Sequence, residues 1–142
     1  MSYAMVIKAS GEARMVEFPT EDKLDWYYET IGCDCIDIVN PYQIEKIGKE
    51  NGLKSLVGKF CIIVDDEGLL KEEPKINVIA SLLYGYDSHG QGLFGDVIIA
   101  QNKETDDGIE TVGLEPNDMM LLQTAINGVI EEHNKGREQK NG

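Results

Sequence analysis

The apolar residues at the start of the chain come in short runs that are separated by turn residues. Residues 3–9 and 15–18 flank a Ser-Gly-Glu turn and predict a β-hairpin. Over residues 24–31 the apolar positions return at helical spacing, and Gly32 ends the predicted helix. Thr20 is the predicted N-cap of this helix, because a hydroxyl at that position accepts a hydrogen bond from an early helical amide.

The middle of the chain alternates between strand patterns and polar segments. Residues 36–39 are rich in β-branched side chains and predict a strand. Residues 42–56 are polar and predict one helical turn followed by a loop. Residues 57–64 form a nearly continuous apolar run, which is typical of a central strand that is buried on both faces.

Two helices and one strand are predicted in the rest of the chain. Apolar residues return at helical intervals over residues 75–84, and Gly85 is the predicted C-terminal cap. Residues 96–101 predict a strand, and residues 103–113 predict an acidic loop or hairpin end. The last helix begins near residue 115. Its apolar stripe consists of Met119, Leu122, Ile126, Val129 and Ile130.

Together these elements predict a single small α+β domain over residues 1–133. We expect a mixed β-sheet of about five strands with two or three helices packed on it. Residues 134–142 predict a flexible polar tail. We expect the stripe on the last helix to be exposed, and it therefore predicts a homodimer that forms through the C-terminal helix.

The composition is that of a soluble globular protein with a strong excess of acidic residues. Of the 142 residues, 42% are hydrophobic and 27% are charged, and the formal net charge is -13. Direct binding of nucleic acid is not expected, because phosphate backbones require clustered Lys and Arg. Two interpretations of the acids stay open. They either keep the turns solvated, or they imitate nucleic acid and occupy the basic groove of a host protein.

The sequence predicts neither a membrane segment nor a metal site. No apolar run is long enough to span a bilayer and the N-terminus lacks a secretory pattern, so we expect no membrane association and a location in the host cell cytoplasm. Cys33, Cys35 and Cys61 are predicted to be reduced, structural thiols. A metal site is not expected, because the Cys-Asp-Cys pair would need two more ligands and His89 and His133 are distant in sequence.

Three glycines, Gly90, Gly92 and Gly95, spell the pattern G-x-G-x-x-G that is found in dinucleotide-binding folds. In those folds a strand enters the glycine turn and a helix follows it, so that helical amides receive the pyrophosphate. Here a predicted helix precedes the glycines and a predicted strand follows them. The pattern therefore predicts a compact loop and no cofactor, although such loops leave backbone amides free to meet an anion.

A longer motif surrounds these glycines. Residues 74–99 contain N-x-x-A-S-x-L-Y-G followed by H-G-Q-x-x-x-G-D-V-x-I, and in this they resemble the domain of unknown function 3846 family. The agreement extends to residues 57–70 and, more loosely, to the N-terminal elements, whereas residues 42–56 and the helical C-terminus depart from the family pattern. The resemblance implies a protein encoded by a phage, plasmid or conjugative element, and it implies no established activity.

The candidate residues come from this motif. No catalytic constellation is evident, so no catalytic residues are expected and the protein is predicted not to be an enzyme. Polar groups and glycines can read a base edge, stack on a ring and offer amides. The predicted ligand-binding residues are Asn77, Ser81, Tyr84, His89, Gly90, Gln91 and Asp96. A structural role stays open for each of them: Asn77 as a cap, Tyr84 in the core and His89 bonded within its loop.

Three functions stay open at this point. The first is counter-defence by a phage or mobile-element protein that binds and sequesters a small nucleotide-type immune signal. The second is an acidic DNA-mimic inhibitor of a host nuclease or CRISPR-type effector, which accounts for the charge but not for the motif. The third is an uncharacterised enzyme or a structural accessory protein.

Overall fold

Six strands and five helices make up the chain over residues 1–141, which the computed structural model describes, with side chains described through residue 136. The strands are β1 (Tyr3–Ile7), β2 (Ala13–Glu17), β3 (Ile36–Val39), β4 (Phe60–Asp65), β5 (Val97–Thr105) and β6 (Gly108–Val112). The helices are α1 (Lys23–Ile31), α2 (Tyr42–Glu50), α3 (Val78–Tyr84), α4 (Tyr86–His89) and α5 (Pro116–Asn141). Short 3-10 turns at Lys54–Leu56 and Gly68–Leu70 flank β4.

The strands form one antiparallel sheet. Their order is β2-β1-β5-β4-β3, and β6 pairs with the second half of β5. The α+β class predicted from the sequence is confirmed. The mixed sheet of about five strands is corrected to an antiparallel sheet of six in residues 1–141, for two reasons. The connections through α2 and through α3–α4 each reverse the chain, and residues 103–113 form a hairpin that lengthens β5 and adds β6.

Side chains alternate between two buried faces of the sheet, and each face carries helices. On one face Phe60, Ile62 and Val64 of β4 join a core beneath α2, α3 and α5. On the other face Cys61 and Ile63 pack with α1. The prediction that this apolar run is a central strand buried on both faces is therefore confirmed, although β4 begins slightly later than predicted.

Two helices differ from their predictions in ways that shape the candidate site. α2 has nine residues where the sequence predicts a single turn, because Ile44 and Ile47 return at helical spacing and pack into the core. α3 begins at Val78 rather than at residue 75, since Ile76 forms a β-bridge with Phe94 instead.

The last helix is longer and more buried than predicted. α5 continues to Asn141, through the segment predicted as a tail, and the flexibility of that segment stays a prediction. Leu122 is fully buried, and Ile126 and Val129 are also buried. The stripe therefore packs into the protein's own core, against α2 and α3, instead of being exposed, which removes the ground for predicting a homodimer through this helix. None of the described helices combines the length and the apolar content that crossing a bilayer requires.

Candidate functional site

The glycine motif belongs to a closed segment between β4 and β5. Residues 75–77 run antiparallel to residues 93–95, with backbone hydrogen bonds of 2.7 and 2.8 Å between them. α3, α4 and the glycine turn lie between these two stretches. We call residues 75–96 the motif segment. Because the two ends of the segment are hydrogen-bonded to each other, the residues between them form one closed loop.

Asn77 joins three parts of the chain from a buried position, where it is 1% exposed. Its Oδ1 accepts a hydrogen bond from the N–H of Ala80 at 3.1 Å and so caps α3. Its Nδ2 donates to the carbonyls of Ile7 and Gly95, both at 2.9 Å. A carboxamide suits this position because it combines an acceptor with two donors. Asn77 therefore ties the motif segment to β1.

Ser81 and Gly92 form a close pair inside the motif segment. Ser81 is buried, and its Oγ donates to the carbonyl of Leu93 at 3.2 Å and accepts from the N–H of the same residue at 2.8 Å. A Cβ built on Gly92 would lie 3.0 Å from this Oγ. The serine hydroxyl therefore holds the end of the segment, and the glycine leaves room for it.

Asp96 fixes the last residue of the motif segment. It is half-buried, and its Oδ1 accepts a hydrogen bond from the N–H of Ala9 at 2.9 Å. Asn77, Ser81 and Asp96 thus each make a hydrogen bond that shapes the segment, and we call these three the supporting residues. A ligand contact by any of them stays a prediction.

The other predicted ligand-binding residues lie nearer the surface of the motif segment. Tyr84 at the end of α3 and His89 at the end of α4 stack with ring centroids 4.2 Å apart and planes 14° apart. Tyr42 of α2 meets His89 edge-on at 5.6 Å. Gly85 has a φ of +85°, which lets the chain turn between the two helices so that the rings meet. Of the predicted ligand-binding residues, His89, Gly90 and Gln91 are exposed.

A cleft of about 210 Å³ lies between the motif segment and the neighbouring edge of the sheet. We call it the motif cleft. Its wall from the motif segment consists of Tyr84, His89, Gln91, Gly92, Leu93 and Phe94. Its opposite wall comes from β3, from β4 and from the turn after β4, and consists of Asp37, Val39, Val64, Asp65, Asp66, Gly68 and Leu69. The cleft therefore combines a stacked ring pair with a wall that is rich in carboxylates.

Three carboxylates set the electrostatics of the motif cleft. Asp65 is the most buried, with its Oδ2 at 3.3 Å from Nζ of Lys71 and its Oδ1 accepting from the N–H of Glu67 at 2.9 Å. Asp37 and Asp66 are exposed, and Asp37 accepts one hydrogen bond from the next backbone N–H. Asp65 is therefore paired within the protein, whereas Asp37 and Asp66 keep oxygen lone pairs for a ligand or for water.

A second cleft, of about 200 Å³, lies between α2, α4 and α5. Lys46 and His133 line it together with the acids Asp87 and Glu132. None of the residues predicted to bind a ligand lines this cleft, so the motif cleft is the better candidate.

Three amides of the glycine turn are already used within the protein. The N–H groups of Gly90, Leu93 and Gly95 donate to oxygen atoms of the motif segment. The predicted order of helix, glycines and strand is confirmed, because α4 precedes the glycines and β5 follows them. The turn therefore lacks the helix N-terminus that receives a pyrophosphate in dinucleotide-binding folds.

The residues predicted from the sequence do not include three that the fold brings to this site. Asp37 and Asp66 line the motif cleft, and Tyr42 contacts the ring of His89. The alternation of Asp37 with Ile36 and Ile38 indicates that it lies on the opposite face of β3. No local signal shows that the motif segment lies beside that face. These residues become visible only once the path of the chain is known.

Two of the cysteines, Cys33 and Cys61, are buried in the folded protein. Burial raises the pKa of the Cys61 thiol to about 11, and burial together with the nearby carboxylate of Asp65 raises the pKa of the Cys33 thiol. Both thiols therefore stay protonated at neutral pH and are poor nucleophiles. Within the described residues, no group of three His, Cys, Asp or Glu side chains is arranged to bind a metal ion.

Comparison with known proteins assigns the chain to one family. A family model described as "Domain of unknown function (DUF3846)" matches residues 1–127, so the chain belongs to this family. The match includes residues 42–56, for which the sequence predicts a departure from the family pattern, and it ends within α5. No curated protein and no solved structure matches the chain.

Proposed function

We propose that this member of the DUF3846 family is a non-catalytic binding protein whose motif cleft holds the base of a small nucleotide-type molecule. The observation that carries the proposal is the stack of Tyr84 and His89 in the wall of a cleft that also contains Gln91. A base that extends this stack gains about 1–3 kcal/mol. The carboxamide of Gln91 offers both a donor and an acceptor for a base edge.

In a phage or another mobile element, such a protein acts by sequestration. Holding a nucleotide-type immune signal lowers its free concentration in the host cytoplasm and blocks the response without any chemistry. The protein then needs a dissociation constant below the working concentration of the signal, and it needs to be at least as abundant as the signal.

The surroundings of the side chains that could in principle act as a nucleophile or a base, Ser81, Cys61 and His89, support binding rather than catalysis. The hydroxyl of Ser81 makes its two hydrogen bonds with the main chain of Leu93, and Cys61 is fully buried. His89 packs against the rings of Tyr84 and Tyr42. A general base has to lie within hydrogen-bond reach of the group it deprotonates, and these contacts supply no such pair.

Ligand depletion tests the proposal. The purified protein is incubated with cyclic dinucleotides and with ADP-ribose-type molecules, the unbound ligand is measured, and the protein is then heated to release what it holds. We expect one class of ligand to be depleted and then recovered intact. Recovery of a changed product would show catalysis and contradict the proposal.

A substitution links the depletion to the cleft. His89→Ala removes one ring of the stack and is expected to weaken binding about tenfold. Gln123→Ala on the exposed side of α5 is the control and is expected to leave binding unchanged. Circular dichroism checks that both variants are folded. Equal depletion by His89→Ala and the unmodified protein would place the ligand outside the motif cleft.

A separate observation favours a second function, that of an acidic DNA-mimic inhibitor of a host nuclease or CRISPR-type effector. The β5–β6 hairpin ends in the exposed acids Glu104, Asp106 and Asp107, and the neighbouring Ile109 is 73% exposed. In a chain with a net charge of -13, such a tip suits the basic groove of a protein partner.

Salt dependence separates the two functions. A partner held by charge is expected to be lost steeply as salt rises in a pull-down from host lysate. Replacing Asp106 and Asp107 together with Asn is expected to weaken that partner and to leave the depletion of a small ligand unchanged. A partner that is retained at high salt by this double variant would contradict the inhibitor function.

A further inference from the structure

We infer that the group which enters the motif cleft is an aminated nucleobase (adenine, guanine or cytosine) that is inserted base first, with any phosphate left in solvent. The inference rests on the proposed function and narrows it to a class of base and an orientation. Three features of the cleft carry it: the planar ring stack, the carboxamide of Gln91 and the two exposed carboxylates of Asp37 and Asp66.

Asp37 and Asp66 require hydrogen-bond donors from the ligand. An ionised carboxylate has no proton to donate. Oδ1 of Asp37 accepts from the backbone, which leaves Oδ2 for a ligand, and the carboxylate of Asp66 is exposed. The exocyclic amine of an aminated base supplies N–H donors beside an acceptor. Uracil presents a carbonyl oxygen on each side of its N–H, and these oxygens would face the carboxylates.

A phosphate is disfavoured at the same position. A phosphate in contact with Asp37 or Asp66 would lie well within the screening length of about 8 Å at physiological ionic strength, so solvent ions would screen the repulsion only weakly. The nearby cation Lys71 is paired with Asp65 at 3.3 Å. Three amides of the glycine turn already donate within the motif segment. The cleft therefore exposes a phosphate to the repulsion of two carboxylates, and both Lys71 and these three amides are already engaged within the protein.

A guanidinium group is the competing occupant, because it is also planar and rich in N–H donors. Gln91 distinguishes the two groups. Its carboxamide carries donors as well as an acceptor, and a guanidinium has no acceptor for those donors. An aminated base edge, with a donor next to an acceptor, matches both sides of the carboxamide. The base is therefore the better fit to the whole set of cleft groups.

Titration calorimetry with single compounds tests the inference. The probes are adenosine, guanosine, cytidine, uridine, adenosine monophosphate and N-acetyl-argininamide. We expect at least one aminated nucleoside to bind about tenfold or more tightly than uridine, because uridine forfeits a hydrogen bond to a charged group. We expect adenosine monophosphate to bind no more tightly than adenosine.

Matched variants locate the effect. Replacing Asp37 and Asp66 together with Asn is expected to weaken binding of the aminated nucleoside about tenfold. Asp107→Asn removes a charge on the β5–β6 hairpin, outside the motif cleft, and is expected to change binding by less than about twofold. A loss of the same size in the Asp107→Asn variant would show a general charge effect and overturn the inference.

The other outcomes separate this inference from the proposed function. Tighter binding of the monophosphate than of adenosine, or equal binding of uridine, would overturn the inference and leave the proposed function standing. Depletion of a cyclic dinucleotide that does not respond to the Asp37 and Asp66 changes would do the same. No binding of any nucleoside or nucleotide would overturn both. Binding of N-acetyl-argininamide alone would also overturn both, in favour of a protein partner.

Discussion

Replacing Asn77 with Ala tests whether the motif segment is held in place by its supporting residues. The change removes the cap of α3 and the hydrogen bonds to the carbonyls of Ile7 and Gly95. The lost cap costs about 1 kcal/mol. Each carbonyl bond adds a net loss of about 1 kcal/mol. The expected sum is about 3 kcal/mol, which lowers Tm by about 6–12 °C in a domain of this size.

Urea unfolding, followed by circular dichroism, measures this loss as a fall in the midpoint with an unchanged slope. Asn127→Ala is the matched control, because Asn127 is exposed and accepts a hydrogen bond from Gln123 on the surface of α5. The control is expected to change the free energy of unfolding by less than about 0.5 kcal/mol. A loss below about 1 kcal/mol for Asn77→Ala, together with abolished ligand binding, would refute the supporting role and make Asn77 a ligand contact.

Three further outcomes are expected. Leu122→Ala should lower the free energy of unfolding by about 2–5 kcal/mol. Met120→Ala, at a position that is 72% exposed, should change this free energy by less than about 0.5 kcal/mol. Equal losses in the two variants would contradict the inward orientation of the stripe. Cys35 should react first with iodoacetamide, and Cys61 should react only after unfolding, because burial keeps the Cys61 thiol protonated, with a pKa of about 11. Peptide mass spectrometry identifies the labelled cysteine, and early labelling of Cys61 would count against its burial. Gly92→Ala should destabilise the protein by about 1–3 kcal/mol, since its Cβ would lie 3.0 Å from a buried hydroxyl oxygen; an unchanged Tm would show that the segment accommodates the methyl group.

Elements with a strong local pattern could be predicted from the sequence. The apolar run that became β4 is buried on both faces, and Gly32 and Gly85 end their helices in the left-handed conformation. The direction of the strands could not be predicted, because it depends on the path of each connection rather than on the strand itself. The stripe of α5 shows the same limit, since an apolar face does not reveal whether it is covered by the rest of its own chain or by a second chain.

The sequence motif points to the segment that forms one wall of the candidate site. It does not show which residues of that segment support its fold and which line the cleft. The motif identifies residues 75–96, yet an asparagine or a serine suits a ligand as well as it suits a backbone carbonyl. The partner that decides the matter is distant: Asn77 reaches a carbonyl 70 residues away, and Ser81 reaches one 12 residues away. The acidic wall comes from β3 and from the end of β4, which the motif does not include.

The way in which the motif segment is held also bears on the ligand that we propose for the cleft. A glycine turn with free amides attracts anions. Here the amides of Gly90, Leu93 and Gly95 are used to close the segment, so the same hydrogen bonds that give the turn its shape withdraw these three donors from a phosphate. The motif segment still contributes the rings of Tyr84 and His89 and the carboxamide of Gln91 to the cleft. The carboxylates of Asp37 and Asp66, which accept hydrogen bonds, lie in the opposite wall. The selectivity for a base over a phosphate that we infer is therefore linked to the hydrogen bonds that fold the segment, and a variant that frees these amides should gain affinity for phosphate as it loses stability.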